Sequence, residues 1–262
     1  MQQNDPYLTK QQIRHRAIAD SVMLEGSIRI EALAEQFGTS LMTIHRDLDA
    51  LEDRGLLRKS RGIATALSSS LVESSDLYRI GQQTPAKQAI AQAALEFVEP
   101  GQSLLLDDST TVHQMGPMLA GKSPITVITN VLTLMNELSG SRGIQLVALG
   151  GTFHNWCSAF MGSVTTDSIR RLRADVFFMS TAAITDGMCF HQSEDAVSTK
   201  RAMLEVAGLK ILLVDHSKFD RRALHAVARV DEFDHVIVDS GTREEDIERM
   251  RSQGINVIVA TT

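Results

Sequence analysis

Apolar residues recur at helical spacing in two adjacent stretches between residues 28 and 51. The first stripe consists of Ile30, Leu33, Ala34 and Phe37. Gly38 follows it, at the position where helices commonly end in a left-handed turn, and Ser40 then offers a hydroxyl that caps a new helix. The second stripe consists of Leu41, Ile44, Leu48 and Leu51. The pattern predicts two helices joined by a sharp turn, each with one buried face.

The flanking segments complete a small domain around this helix pair. Residues 9–25 have the pattern of a longer helix, with buried positions predicted at Ile13, Ala17, Val22 and Leu24. Residues 56–60 and 63–67 predict two short strands about a turn at Arg61-Gly62. Three helices and a basic hairpin indicate a winged helix-turn-helix domain over residues 9–67. In such domains the second helix of the pair enters the major groove of DNA.

The polar face of that second helix and the hairpin supply the candidate contacts to a double-stranded DNA operator. On the helix we expect Thr43, His45 and Arg46 to face base edges, and Met42 to face a thymine methyl. In the hairpin, three basic side chains are expected to contact phosphates or the minor groove. The complete predicted DNA-binding set is Ser40, Met42, Thr43, His45, Arg46, Arg58, Lys59 and Arg61.

A different rhythm begins after a polar, serine-rich stretch that we interpret as a linker over residues 68–83. From residue 84 to residue 262, short continuous apolar runs alternate with amphipathic helical segments. The runs lie at 103–107, 125–129, 145–149, 175–179, 210–215, 236–239 and 257–259. Continuous apolar strands are buried on both faces, so this pattern predicts a larger α/β domain with a mostly parallel sheet.

Polar residues follow most of these predicted strands. In open parallel sheets, ligands bind outside the carboxyl ends of the strands. A helix start after the first strand offers hydroxyls and amides for a phosphate, Lys218 adds a positive charge, and Asp107, Asn130 and Asp186 are placed to bind sugar hydroxyls. The predicted effector-binding residues are Asp107, Ser109, Thr110, Thr111, Asn130, Gly150, Gly151, Asp186 and Lys218. The sequence therefore predicts a pocket for a small phosphorylated polyol.

Composition narrows the class of protein. Hydrophobic residues make up 43% and charged residues 22% of the 262 residues, which is ordinary for a globular chain. No apolar run approaches a membrane span, the N-terminus lacks a signal-peptide pattern, and two cysteines form neither a disulfide framework nor a metal cluster. We expect a cytoplasmic protein without metal or other cofactor. Residues 1–66 hold nine basic and nine acidic residues, so the net charge of −6 belongs to the remainder.

Several motifs resemble those of a known family. TIHRDL at 43–48, followed by LEDRGLLRKSRG at 51–62, resembles the N-terminal signature of the DeoR family of bacterial transcriptional repressors. The later motifs resemble the sugar-phosphate-sensing domain of the same family: KQAIAQAA (87–94), LLLDDSTT (104–111), VITN (127–130), LGG (149–151) and VDHSKF (214–219). The resemblance implies a sensor fold similar to ribose-phosphate isomerases, with phosphate held at 109–111 and Lys218 at the site.

The chain departs from the family pattern at four places. The family usually has Arg at the position of His45 and a His-Gly-Gly turn at residues 60–62, which read Ser-Arg-Gly here. It commonly has Gly at the position of Ser109 and again after Lys-Phe, where this chain has Asp220. The first two departures bear on operator specificity, and the last two bear on the affinity or identity of the effector.

Three functions compete at this point. The leading hypothesis is a repressor of a carbohydrate-metabolism operon, a homodimer or homotetramer that is controlled by a phosphorylated sugar and is not an enzyme. The alternative is a sugar-phosphate isomerase-like enzyme with an appended regulatory domain, which would use Asp107 or Asp186 with Lys218. A third is a winged helix that binds protein. The effector, the operator and the direction of control stay open.

Overall fold

A computed structural model describes residues 9–66, 79 and 82–261. Contacts between residues divide the chain into two compact units, Met1–Arg79 and Ile80–Thr262. The boundary between them falls inside the predicted linker, of which residues 79, 82 and 83 are described. Among the helices in the described ranges, none combines the length and the apolarity that crossing a membrane requires.

The described part of the first unit is a winged helix-turn-helix. Its helices are α1 (Lys10–Glu25), α2 (Ile30–Gln36) and α3 (Leu41–Asp53), and its strands are β1 (Ser27–Arg29), β2 (Leu57–Ser60) and β3 (Ile63–Ala66). The strands form an antiparallel sheet in the order β1-β3-β2. Strand β1 was not predicted, because three residues are too few to show an alternating pattern.

The core of this unit differs in detail from the predicted buried stripes. Ile44, Leu48 and Leu51 are fully buried, but Leu41 is 47% exposed because it opens the first turn of α3. On α1 the buried positions include Ile18, Ala19 and Val22, whereas Ile13 and Ala17 are half-buried, so the apolar face is rotated from the predicted one. The side chain of Leu24 lies outside the described set.

The second unit is built on a seven-stranded sheet in the order β15-β14-β12-β9-β4-β5-β6. All neighbouring strands of this sheet are parallel. Its strands are β4 (Ser103–Leu106), β5 (Ile125–Thr129), β6 (Ile144–Ala148), β9 (Ala174–Met179), β12 (Ala207–Val214), β14 (His235–Asp239) and β15 (Asn256–Ala260). They coincide with the seven predicted apolar runs, and the predicted fold class is confirmed.

Helices cover both faces of this sheet. They are α4 (Thr84–Ala94), α5 (Thr110–His113), α6 (Leu132–Leu138), α7 (Ser163–Arg170), α8 (Glu194–Val206) and α9 (Glu244–Ser252). Helix α4 packs in the same core cluster as Leu104 and Leu106, while most buried residues of α8 pack with Leu105 on the other face. Helix α5 is short, because Gly116 and Pro117 start a separate 3₁₀ helix, Gly116–Lys122.

Two small antiparallel sheets complete the second unit. One is the hairpin of β7 (Thr152–His154) and β8 (Ala159–Met161), and the other contains β10 (Ala183–Thr185), β11 (Met188–His191) and β13 (His225–Arg229). These strands were not predicted, since each is three to five residues long and lies outside the continuous apolar runs.

Candidate functional site

The start of α3 is fixed by the hydroxyls of Ser40 and Thr43, two residues that the sequence predicts to contact DNA. Ser40 is the N-cap, and its Oγ accepts a hydrogen bond from the backbone N–H of Thr43 at 3.2 Å. The hydroxyls of the two residues lie 2.9 Å apart and are hydrogen-bonded to each other. Their observed role is therefore to begin the helix and set its direction.

The rest of α3 exposes the predicted contact face. Met42 is 65% exposed, and His45 and Arg46 are exposed as well. One guanidinium nitrogen of Arg46 lies 3.9 Å from the Met42 sulfur, so the two side chains share one patch. Behind this patch, Ile44 and Leu48 are fully buried. Helix α3 thus presents a mixed polar and apolar surface to solvent.

One residue of α3 that sequence reasoning missed is Asp47, which is 1% exposed. Arg14 of α1 donates to its carboxylate from Nε at 2.6 Å and from Nη2 at 3.0 Å, and His15 Nε2 lies 2.8 Å away. Burial would raise the pKa of Asp47, but the hydrogen bonds from Arg14 and His15 outweigh it, so the pKa is lowered. This ion pair fixes α3 against α1. The sequence signal for this role is an acidic residue, Asp47, directly before Leu48 on the apolar face of the helix.

The wing is a tight hairpin with one lysine engaged by α3. Its turn residues Arg61 and Gly62 have φ of 49° and 77°, and the side chain of Arg61 is exposed. The backbone N–H of Lys59 donates to Glu52 Oε1 at 2.9 Å, and its ammonium forms an ion pair with Asp49. Arg58 is exposed. The predicted DNA contact Lys59 is thus paired within the protein.

The carboxyl ends of β4 and β9 mark the topological switch point of the large sheet. From β4 the chain proceeds outward through β5 and β6, then returns to β9 on the other side. Asp107 follows β4 directly and accepts the backbone N–H of Ser109 and that of Ser180, both at 3.0 Å. Ser180 follows β9, so a single buried carboxylate joins the two strand ends at the crevice where open sheets bind ligands.

A buried lysine, Lys200 of α8, reaches this point from one face of the sheet. Its ammonium lies 2.5 Å from Asp107 Oδ2 and 2.7 Å from Asp108 Oδ1, and all three residues are at most 6% exposed. Burial would lower the pKa of Lys200, but the charges of the two aspartates outweigh it, and the pKa is raised. The ammonium is therefore charged and compensates both carboxylates.

A second buried lysine, Lys87 of α4, reaches the same loop. Its ammonium donates to Thr110 Oγ1 at 3.0 Å, and Lys87 is 2% exposed. Ser109 is the N-cap of α5 and accepts the backbone N–H of Val112 at 3.3 Å. Sequence reasoning missed Lys87 and Lys200. The signal was a lysine on the apolar stripe of an amphipathic helix, where a charge needs a buried partner.

The loop after β12 adds Asp215 and Lys218. Asp215 is fully buried and accepts the backbone N–H of Ser217 at 3.0 Å, while Lys218 Nζ lies 3.8 Å from its other oxygen. Burial would raise the pKa of Asp215, but the charge of Lys218, the hydrogen bond from Ser217 and the charge of Lys87 outweigh it and lower the pKa. Helix α5 contacts β12, so the loops after β4 and β12 lie close together.

Asn130 lies beside this cluster with one atom unsatisfied. It follows Thr129, which pairs with Leu106, so Asn130 is the neighbour of Asp107 across the β4–β5 pair. Its Nδ2 donates to the carbonyl of Phe160 at 2.8 Å, and the residue is 1% exposed. Its Oδ1 has no hydrogen-bond donor among the described residues. A buried amide oxygen without a donor is a candidate ligand contact.

Three predicted effector residues have a different position or role. Asp186 is exposed in the turn between β10 and β11, where the carbonyl of the adjacent Gly187 accepts the N–H of Val230. Val230 precedes β14, so this turn lies at the amino ends of the strands, opposite the cluster. The prediction misplaced Asp186 because the β10–β11 hairpin separates it from β9.

Gly151 packs against α7, since an added Cβ would lie 2.1 Å from Thr165 Oγ1. Gly150 accepts the Thr165 hydroxyl at 2.8 Å.

The departure at Asp220 has a local explanation. Its side chain is 70% exposed and lies 3.1 Å from the guanidinium of Arg243. The negative charge is thus paired at the surface.

Comparisons with known proteins agree over most of the chain. The family described as "DeoR-like helix-turn-helix domain" matches residues 14–70, and "DeoR C terminal sensor domain" matches residues 82–240. The chain is 32% identical to the Glycerol-3-phosphate regulon repressor of Escherichia coli (strain K12), over 88% of this chain and 92% of that protein. It is 31% identical to the Lactose phosphotransferase system repressor of Lactococcus lactis subsp. lactis, over 90% and 93%.

Two solved structures are similar over part of the chain. Ribose 5-phosphate isomerase A from Methanocaldococcus jannaschii is 15% identical with a TM-score of 0.39, covering 53% of this chain and 55% of that one. The eIF2B delta structure from Chaetomium thermophilum is 18% identical with a TM-score of 0.44, covering 63% and 60%.

Proposed function

The chain belongs to the DeoR family of transcriptional repressors, and from that premise we propose that it represses a carbohydrate-metabolism operon under the control of a phosphorylated sugar. The observation that carries the proposal is the polar cluster at the switch point. Lys87 donates to the hydroxyl of Thr110 in the loop after β4, and Asn130 follows the neighbouring strand β5 with its unsatisfied oxygen. Lys218 lies in the loop after β12. Ammonium groups and hydroxyls are donors that phosphate oxygens accept.

The effector site that we propose has two parts. The phosphate is bound by Lys87, Lys218 and the segment 109–111, and a sugar hydroxyl is bound by Asn130. Asp107 and Lys200 form the structural floor, since they pair with each other at 2.5 Å and Lys200 also pairs with Asp108 at 2.7 Å. The names of two relatives, a glycerol-3-phosphate regulon repressor and a lactose phosphotransferase system repressor, support a carbohydrate-related effector.

The organisation that we propose is a DNA-binding domain over residues 9–67, a linker over 68–83 and an effector domain over 84–262. Two winged domains of a homodimer or homotetramer would bind a repeated or palindromic operator, which doubles the contacts of one domain. The proposed partners, an operator and a phosphorylated metabolite, are cytoplasmic, so the proposal includes that location.

Catalysis is disfavoured by the same geometry. An isomerase needs a carboxylate that moves a proton beside a carbonyl. Asp107 is instead bonded to Lys200 and to two backbone amides. Asp186 lies at the amino ends of the strands, away from this cluster. The named relatives are repressors.

A panel of sugar phosphates tests the effector half. A true effector is expected to raise the free energy of unfolding of the second unit by about 2.7 kcal/mol at a hundredfold excess over its dissociation constant. The measurement is a thermal-shift titration, with the unphosphorylated sugars as controls. The same ligand should change the affinity for the DNA upstream of the protein's own gene. No stabilisation by any phosphate, or equal stabilisation by the parent sugars, would contradict the proposal.

Arg46→Ala tests base reading by α3. Arg46 is exposed on the contact face, so its loss is expected to weaken operator binding by about 1–3 kcal/mol, with a smaller loss on random DNA. Binding isotherms on both DNAs provide the measurement. Arg58→Ala is the comparison, because a phosphate contact should be lost equally on both. An equal loss for Arg46→Ala would assign it to the backbone as well.

Asp49→Asn tests whether the ion pair with Lys59 restrains the wing. Freeing the ammonium is expected to tighten binding to random DNA and to increase the magnitude of the salt slope by about one. Asp53→Asn is the control, since it removes an exposed carboxylate from the same helix. The measurement is affinity as a function of salt concentration. If both variants give the same slope, the pair does not restrain Lys59.

A further inference from the structure

The β7–β8 hairpin stands as a wall beside the proposed effector site. An isolated bridge pairs Val131 with Ala159, and the N–H of Leu132 donates to the carbonyl of Ser158 at 2.8 Å. Asn130 is bonded to Phe160 in both directions, through its carbonyl and through its side-chain amide, each at 2.8 Å. The hairpin is therefore held directly against the residue that carries the unsatisfied oxygen.

The hairpin also packs on the helix that supplies the floor of the site. Ala196 of α8 is buried in the same core cluster as Cys157 and Ala159. It precedes Lys200 by four residues, so the two lie on one face of α8, about 6 Å apart along its axis. Lys200 in turn contacts Asp107, so the hairpin packs on the same helix whose lysine pairs with the buried carboxylate.

The hairpin carries a tryptophan, Trp156, that lies near two histidines. Trp156 is half-buried, and its ring centroid lies 6.3 Å from that of His154 and 6.1 Å from that of His191. His154 Nε2 lies 3.7 Å from a carboxylate oxygen of Asp195, in the first turn of α8. An amphipathic ring flanked by imidazoles is the composition of a site that binds a carbon skeleton carrying hydroxyls.

We propose that Trp156 and His154 form a subsite for the sugar part of the effector. The indole packs against the C–H face of the sugar, His154 hydrogen-bonds a hydroxyl, and Asn130 binds a second hydroxyl between this wall and the phosphate. The inference rests on the proposed function and narrows it. A pentose or hexose ring offers the flat C–H face on which an indole packs, which an open three-carbon chain lacks. The effector class is a pentose or hexose phosphate.

The chain offers a direct reporter, because Trp156 is its only tryptophan. The full-length protein is titrated with ribose 5-phosphate, glucose 6-phosphate, glycerol 3-phosphate and inorganic phosphate, following tryptophan emission and thermal stability together. We expect a pentose or hexose phosphate to stabilise the protein and change its emission. Inorganic phosphate is expected to bind without the emission change.

Substitution then separates the subsite from the phosphate site. Trp156→Leu is expected to raise the dissociation constant of the stabilising sugar phosphate about tenfold, and to leave that of inorganic phosphate within twofold. Phe153→Leu is the matched control, since Phe153 lies on the same hairpin, 40% exposed, and packs on Phe160. If Trp156→Leu does not fold, His154→Ala is measured against the same ligands, with the same fall in sugar-phosphate affinity expected.

The outcomes are distinguishable. No stabilisation by any phosphate overturns the proposed function itself. Stabilisation without an emission change, together with equal losses for sugar phosphate and inorganic phosphate in the variants, overturns the subsite alone. Stronger stabilisation by glycerol 3-phosphate than by the larger sugars also overturns it.

Discussion

Lys200→Met is expected to lower the free energy of unfolding of the second unit by about 3–5 kcal/mol. The ammonium lies between Asp107 and Asp108, and all three groups are buried. Removing it leaves two carboxylates in a low-dielectric site without their counter-charge. Breaking a buried ion pair in this way is far more destabilising than replacing the whole group by apolar residues.

The neighbouring residue provides a control for this prediction. Arg201→Met removes the same charge from the next position of α8, but its ion pair with Glu232 is 40% and 38% exposed. A pair of this kind contributes about 0–1 kcal/mol. Urea unfolding followed by circular dichroism measures both variants. Equal losses of stability would contradict the view that Lys200 compensates the buried acids.

Gly151→Ala is expected to destabilise the second unit by about 2–4 kcal/mol. Gly151 has φ of 151°, in a region that side chains rarely adopt. An added Cβ would lie 2.1 Å from Thr165 Oγ1 and 2.7 Å from the carbonyl oxygen of Met161. The loop after β6 must therefore move away from α7, which loses the contact that holds the two together.

The adjacent glycine makes a matched comparison. A Cβ on Gly150 would meet nothing within 4 Å, so Gly150→Ala is expected to change stability by less than about 0.5 kcal/mol. Thermal unfolding of the two variants measures the difference. If Gly151→Ala instead keeps full stability and loses only sugar-phosphate binding, Gly151 belongs to the ligand site and the packing argument is wrong.

The main architecture was predictable because its physical causes are local. A strand that is buried on both faces is mainly apolar, and all seven strands of the large sheet are rich in apolar residues. The helices of the first unit show clear stripes, of which Ile44, Leu48 and Leu51 are fully buried. Short strands such as β1 and β13 depend on partners that are distant in sequence, so no local pattern marks them.

The candidate site was predictable only in part, for a related reason. Strand ends locate Asp107, the segment 109–111, Asn130 and Lys218, because all follow an apolar run. Lys200 becomes part of the site only through Asp107, which lies 93 residues away along the chain. Asp186 follows the same apolar run as Ser180, but it lies in the turn of the β10–β11 hairpin, at the amino ends of the strands. Pairings of this kind are properties of the folded chain.

The position of Lys87 has a consequence for how a signal would leave the proposed effector site. Lys87 belongs to α4, the first helix that the chain forms after the boundary at residues 79 and 80. A ligand that binds the Lys87 ammonium therefore restrains α4, the helix that follows the first unit along the chain. Amide hydrogen exchange in the opening turn of that helix should slow first when the small molecule is added, ahead of amides at the far margins of the sheet.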